Sequence, residues 1–201
     1  KVLHAIDSST RRSRSSISES ELKEMISPAL LAKREGQYKD TILHRAVQHR
    51  HWKAVKTLID YGADVNLTKA TSATPLTESM KDHRVPLEVI TVLTSPENIN
   101  KPLSSDYGHI TPIFLAIERQ RPDIVKFFIE KGADITRRAY RNDRTPLMEA
   151  IASRSFGPEV IDLLAAPEII NLGRSDVDST PLHRCVQCSR WDLIPILLAK
   201  G

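Results

Sequence analysis

Three features of the sequence predict an all-α fold, a solenoid of stacked helix-turn-helix repeats. Similar stretches open at Thr41, Thr74, Thr111, Thr145 and Thr180, spaced 33 to 37 residues apart. Within each, two short apolar runs at helical spacing are separated by a polar break. Each unit then closes on a helix-stopping residue, either a glycine or a small residue followed by proline. One helix pair of this length cannot bury its own apolar face, so neighbouring pairs must stack to make a core.

The units follow one another through residues 1–201 as a single domain. A degraded unit is expected over 1–33, where "KVLHAI" stands for a helix start and "SELKEMI" imitates a second helix. The intervening "DSSTRRSRSSISES" reads as an enlarged loop between them, and Ser15, three residues after Arg12, is a candidate phosphorylation site. The unit at 38–66 is the clearest. Thr41 is a helix N-cap whose hydroxyl accepts from an orphan backbone N–H. Leu43, Ala46 and Val47 make the first apolar face; Ala54, Val55, Leu58 and Ile59 make the second; Gly62 ends it. Units at 71–100, 108–136 and 142–171 repeat the plan, with Pro75, Pro112 and Pro146 directly after the threonine. A proline there gives up an N–H that has no helical partner anyway. The final unit, 177–201, is truncated.

The exits alternate. Gly62, Gly132 and Gly201 close every second unit, while Ser27–Pro28, Ser95–Pro96 and Ala166–Pro167 close the others. Proline cannot take the left-handed conformation that glycine offers, so the two kinds of connector must differ in shape. Duplication of a two-unit block would produce such a pattern.

Composition narrows the function. Hydrophobic residues at 40% and charged residues at 27% describe an ordered, water-compatible chain, and no apolar run is long enough to span a bilayer. No secretory signal is visible. The chain starts at Lys1 and stops at "LLAKG", which reads as a segment of something longer. Two cysteines do not make a disulfide framework, so a reducing compartment, cytoplasm or nucleus, is expected. The net charge of +4 permits acidic partners without requiring nucleic acid, and aromatics at 5% are too few for base-stacking platforms.

The stretch "TPLHRCVQCS" raises the question of a metal or redox site at His183, Cys185 and Cys188. Aligning "LHRCVQC" with "LHRAVQH" puts Cys185 in the place of Ala46, Ala116 and Ala150, a small core position. No second ligand pair completes the set of about four that zinc takes. No metal or cofactor site is predicted. Nucleophile, metalloprotease and phosphate-loop motifs are also absent, so no catalytic residue is assigned.

The period and the T-P-L-H-x-A core resemble the ankyrin repeat family over nearly the whole chain. That resemblance implies an ankyrin-type solenoid whose connectors project as hairpin-like finger loops, with first helices lining a concave face. In the family the histidine, here His44 and His183, ties neighbouring helix starts together; Thr77, Phe114 and Met148 replace it elsewhere. Partners generally meet fingers and concave face. The corresponding residues here are Tyr38, Asp40, Tyr107, Tyr140, Arg141, Asn142 and Arg144 in fingers, and Gln48, His49, Arg119 and Arg154 at the ends of first helices. The finger "TRRAYRNDRT" gathers Arg137, Arg138, Arg141 and Arg144 beside Arg119 and Arg121. Guanidinium groups suit carboxylates or phosphates, and the tyrosines are of the type enriched in binding hot spots. Asn66 sits in a context resembling that of asparagine hydroxylation in the family, although such asparagines also serve as turn residues. Trp52 and Trp191 occupy a register where core packing is expected.

The function expected is a non-catalytic protein-interaction scaffold that binds a protein or peptide, with an acidic face favoured. Two other readings stand beside it: a phosphate-rich ligand (nucleic acid or phosphoinositide) held by the arginine finger, and a regulatory segment of a larger enzyme. No small-molecule substrate is evident.

Overall fold

In the computed structural model, residues 26–102, 110–139, 143–173 and 179–201 are described. Helices form where the capped apolar runs stand: α1 (Pro28–Ala32), α2 (Ile42–Gln48), α3 (Trp52–Asp60), α4 (Pro75–Ser79), α5 (Leu87–Leu93), α6 (Pro112–Glu118), α7 (Pro122–Glu130), α8 (Pro146–Ala152), α9 (Pro158–Leu164), α10 (Pro181–Gln187) and α11 (Ile194–Lys200). A 3₁₀ turn over Trp191–Leu193 leads into α11. Among the described residues the only extended pairing is an isolated antiparallel bridge, Glu35 with Asp40. The fold is all-α and ankyrin-type.

The chain divides into two compact units, Lys1–Asn98 and Ile99–Gly201. In the first, α1 packs on α2, the first helices α2 and α4 lie side by side, and so do the second helices α3 and α5. The second unit repeats the scheme with three pairs: α6, α8 and α10 form one row and α7, α9 and α11 the other. Each core is made of the residues that the spacing selects. Ala46, Leu58, Leu76 and Ile90 are fully buried in the first unit; Ile113, Phe128, Leu147, Ile161 and Cys185 are fully buried in the second.

Four of the five repeat threonines cap their helices. The side chains of Thr41, Thr74, Thr145 and Thr180 each accept from the backbone N–H three residues on. At Thr41, Thr74 and Thr180 the residue at that third position bonds back to the cap, closing a capping box. Thr111 departs from expectation: its side chain makes no cap bond, and its Oγ1 is buried without a partner among the described residues. Phe114, the residue three on, has no polar atom to return the bond.

Alternation of the connectors is present and runs deeper than the exits. At Gly62 (φ 89°) the glycine N–H reaches Ile59 O at 2.8 Å and the next N–H reaches Leu58 O at 2.9 Å. Gly132 (φ 83°) does the same with Ile129 and Phe128. These are the paired bonds of a Schellman stop, which needs a left-handed residue. The first helices of the same units stop identically but without glycine: Arg50 (φ 59°), Gln120 (φ 55°) and Ser189 (φ 56°) take the left-handed position. At the proline exits the chain instead makes a forward turn, in which the carbonyls of Ser27, Ser95 and Ala166 accept from the N–H three residues later.

The tryptophan expectation fails at one of its two positions. Trp52 is half-buried, whereas Trp191 is 60% exposed. Both sit at the outer start of a second helix, and only the first of these helices has another pair packed beyond it within its unit.

Candidate protein-interaction surface

The finger bases set which polar groups face outward. Glu35 and Asp40 exchange two backbone hydrogen bonds (2.8 and 2.9 Å), forming a small hairpin whose tip carries Tyr38. Tyr38 O accepts from Ala70 N at 2.7 Å, joining this finger to the next, and the Tyr38 side chain is exposed. Asp40 does not project. Its Oδ1 is buried and lies 3.9 Å from the Lys69 ammonium, which sets this half-buried carboxylate at the finger base. Lys69, only 8% exposed in its side chain, makes its short pair with Glu78 at 2.9 Å. Burial pushes the Glu78 carboxyl up, but the Lys69 and Lys81 ammonium groups outweigh it and hold the group below the usual carboxylate range.

His44 behaves as the family resemblance implies. Thr41 N–H and the Thr41 hydroxyl approach Nδ1 at 3.4 and 2.8 Å. A backbone N–H can only donate, so Nδ1 accepts and Nε2 carries the hydrogen that it donates to Ala73 O at 3.1 Å. Burial holds its pKa below the usual histidine value. His183 makes the same capping box with Thr180, but it is exposed and its Nε2 has no partner among the described residues.

Gln48 and His49 are exposed at the end of α2. Gln48 lines a shallow groove of about 220 Å³ with Val47, Arg50, Glu78, Ser79, Lys81 and Asp82. Arg50 spans it to Asp82 at 2.9 Å. In the second unit a larger groove, about 390 Å³, lies between the ends of α6 and α8 and is lined by Ile117, Glu118, Gln120, Glu149, Ala152, Ser153 and Arg154.

The arginine finger is only partly a display of charge. Arg137 faces Asp134 at 3.8 Å. Arg138 bonds Asp143 Oδ2 and Gly173 O, both at 2.7 Å, and so ties its finger to the following connector. Arg144 pairs with Glu149 at 3.2 Å. Arg121 forks onto Asp123. Arg119 and Arg154, by contrast, are exposed and their guanidinium groups have no hydrogen bond or ion pair among the described residues. Tyr107, Tyr140, Arg141, Asn142 and Ser15 lie outside the described residues.

Asn66 is a tie between connectors. Its amide donates to Glu97 at 2.7 Å and accepts from the Ser95 hydroxyl at 2.6 Å. Asn100 and Asn171 play the matching part in the second unit, donating to Gly132 O and Gly201 O. Those bonds support the turn-residue reading of Asn66.

Cys185 is fully buried in α10, and burial pushes its thiol up to about 11. Cys188 is the half-buried C-cap of the same helix, and both thiols are unpaired. No group of three or more His, Cys, Asp or Glu able to hold a metal occurs among the described residues. Nor is any described helix long and apolar enough to cross a membrane.

Sequence reasoning missed Arg190. It is buried, donates to Ser153 O (3.0 Å) and Phe156 O (2.9 Å) of the preceding pair, and is oriented by Asp192. The Arg-x-Asp spacing shared by 121–123 and 190–192 was the available signal.

Known proteins bear on the fold. The ankyrin repeat family model matches residues 38–70, and a second ankyrin repeat model matches residues 108–137. An ankyrin repeat protein of fowlpox virus (strain NVSL) is 30% identical over 123 residues, which is 58% of this chain and 15% of that protein. The chain therefore spans a small part of that relative's length. The crystal structure of an ankyrin repeat domain from Acinetobacter baumannii AYE superposes with a TM-score of 0.74 over 99% of this chain and 97% of that one, at 22% identity. At that identity the likeness concerns the fold.

Proposed function

We propose that this chain, which carries ankyrin repeats, is a scaffold that binds an acidic protein or peptide on the groove-bearing face of its second unit. Ankyrin repeats are in general protein-interaction modules and non-catalytic, which supports the coarse part of the reading. The acidic preference rests on one observation: of the arginines gathered there, Arg119 and Arg154 alone among the described residues have unengaged guanidinium groups. They are placed at the ends of α6 and α8, beside the 390 Å³ groove. An unengaged guanidinium can take a carboxylate in a bidentate fork without first breaking an internal pair.

The phosphate-rich alternative draws less support, because Arg137, Arg138 and Arg144 are already matched to carboxylates. The two unpaired thiols fit a cytoplasmic or nuclear setting. The test is proximity labelling with the wild-type chain and with Arg119→Glu/Arg154→Glu, read by quantitative mass spectrometry. Acidic interactors should be depleted from the variant at least tenfold. Equal recovery from both would end the proposal.

A further inference from the structure

The two grooves are built from the same repeat positions and differ in what fills them. Counted from the repeat threonines, Val47, Gln48, Arg50, Glu78, Lys81 and Asp82 correspond to Ile117, Glu118, Gln120, Glu149, Ala152 and Ser153. In the first unit the chain occupies its own groove. Arg50 crosses to Asp82 at 2.9 Å, and the Lys81 ammonium rests on Glu78 at 3.0 Å. In the second unit Gln120 and Ser153 put neutral groups in place of the crossing pair, and Ala152 stands at the Lys81 position. The groove there measures about 390 Å³ against about 220 Å³ in the first unit. The balance of charge differs too. Glu78 and Asp82 face Arg50 and Lys81 in the first lining, whereas Glu118 and Glu149 share the second with Arg154 alone. Each glutamate at the fourth position is also held from outside the lining, Glu78 by Lys69 at 2.9 Å and Glu149 by Arg144 at 3.2 Å, so that difference remains.

We propose that the groove of the second unit takes a lysine side chain of the partner, its ammonium seated on Glu149 as that of Lys81 is seated on Glu78. The first unit shows the ligand that this carboxylate position accepts, and Ala152 leaves room for one to enter from another chain. Lysine also suits the lining: its carbon stem lies along Ile117 and Ala152 while the charged head reaches the carboxylates of Glu149 and Glu118. This rests on the reading of Arg119 and Arg154 as contacts for acidic residues and adds a second sign to it. The partner presents a lysine between carboxylates, the carboxylates to the two arginines and the lysine to the groove. A uniformly acidic segment would meet Glu118 and Glu149 with like charge, and that repulsion discriminates against it.

The experiment selects a phage library of random dodecapeptides in parallel on the wild-type chain, on Ala152→Lys and on Arg119→Glu/Arg154→Glu. Lysine is native to the matching position of the first unit, so Ala152→Lys should keep the fold and fill the site from within. Selection on the wild type should return peptides in which lysine stands between aspartates or glutamates. Replacing that lysine by norleucine, which keeps the stem and lacks the ammonium, should weaken binding to the wild type at least tenfold and to Ala152→Lys less than twofold. Glu149→Gln, which removes the charge without adding bulk, should erase the difference in the same way. The double arginine variant should return lysine without flanking carboxylates, so the two readings fail separately. Acidic peptides that bind the wild type equally well with norleucine would overturn the proposal and leave the acidic reading in place. Lysine dependence undiminished in both Ala152→Lys and Glu149→Gln would overturn it as well, because the ammonium would then sit elsewhere.

Discussion

Arg190 shows how much one side chain can hold when backbone carbonyls depend on it. It serves Ser153 O and Phe156 O of the preceding pair, and the only other donor to either among the described residues is Phe156 N–H, which reaches Ser153 O at 3.4 Å. Arg190→Ala should lower stability by about 2–3 kcal/mol, the range for buried bonds to a charged donor; chemical denaturation read by circular dichroism gives the difference directly. Thr111 makes the opposite case. Its hydroxyl is buried and unpaired, so the near-isosteric Thr111→Val should stay within about 0.5 kcal/mol of the parent, whereas Thr145→Val, which removes a working cap, should cost about 1 kcal/mol. The pair of melting curves compares a cap that is used with one that is not. His44 ties stability to pH. Its folded pKa is depressed, and protonating Nδ1 would abolish its acceptor role toward Thr41, so the unfolded chain binds the proton more readily. Stability from this group is complete above the ordinary histidine value near 6.5 and falls as the pH drops below it, by up to about 1.4 kcal/mol per pH unit until the folded pKa is reached. Denaturation midpoints between pH 7.5 and 5 should show that slope, and His44→Thr, which copies the Thr74 capping box, should flatten it.

At the level of helices and turns, the threonine period, the caps and the alternating exits could all be read from residues within a few positions of one another. The Cys185 assignment came the same way, by register with Ala46. Three features could not. The Schellman stops at Arg50, Gln120 and Ser189 carry no compositional signal, because left-handed residues are recognised in sequence mainly when they are glycine. The internal engagement of Arg138 depends on Gly173, 35 residues away, so the finger looked more available than it is. Trp191 was misjudged because its register says which way it faces and not whether anything stands there. The stops themselves can be tested. Ser189 has no side-chain bond and a strained φ of 56°, so Ser189→Gly should raise stability by about 0.5–1 kcal/mol. Gly132→Ala, forcing a Cβ onto φ 83°, should lower it by about 1 kcal/mol, although its cause would be strain and not collision, since no atom lies within 4 Å of the added Cβ. Thermal denaturation of the two variants separates gain from loss.

Across the whole molecule, each compact unit owns a core that grows by addition of helix pairs, so local stability should follow the number of neighbours a pair has. Within the second unit, α8 and α9 lie between two other pairs, while α10 and α11 have a pair on one side only. Native-state hydrogen exchange should therefore find α10 and α11 at least tenfold less protected than α8 and α9; equal protection would mean that the unit opens as a block. The two exit types carry a last consequence. Asn100 and Asn171, at the end of proline-type connectors, reach for the carbonyl of a closing glycine one repeat later, whereas Asn66, after a glycine exit, reaches for Ser95 and Glu97 beside a proline. Losing or gaining one repeat would bring like beside like and leave such a latch without its catch. Losing or gaining two preserves every match, so an array of this kind obeys a parity rule: its length changes by even steps.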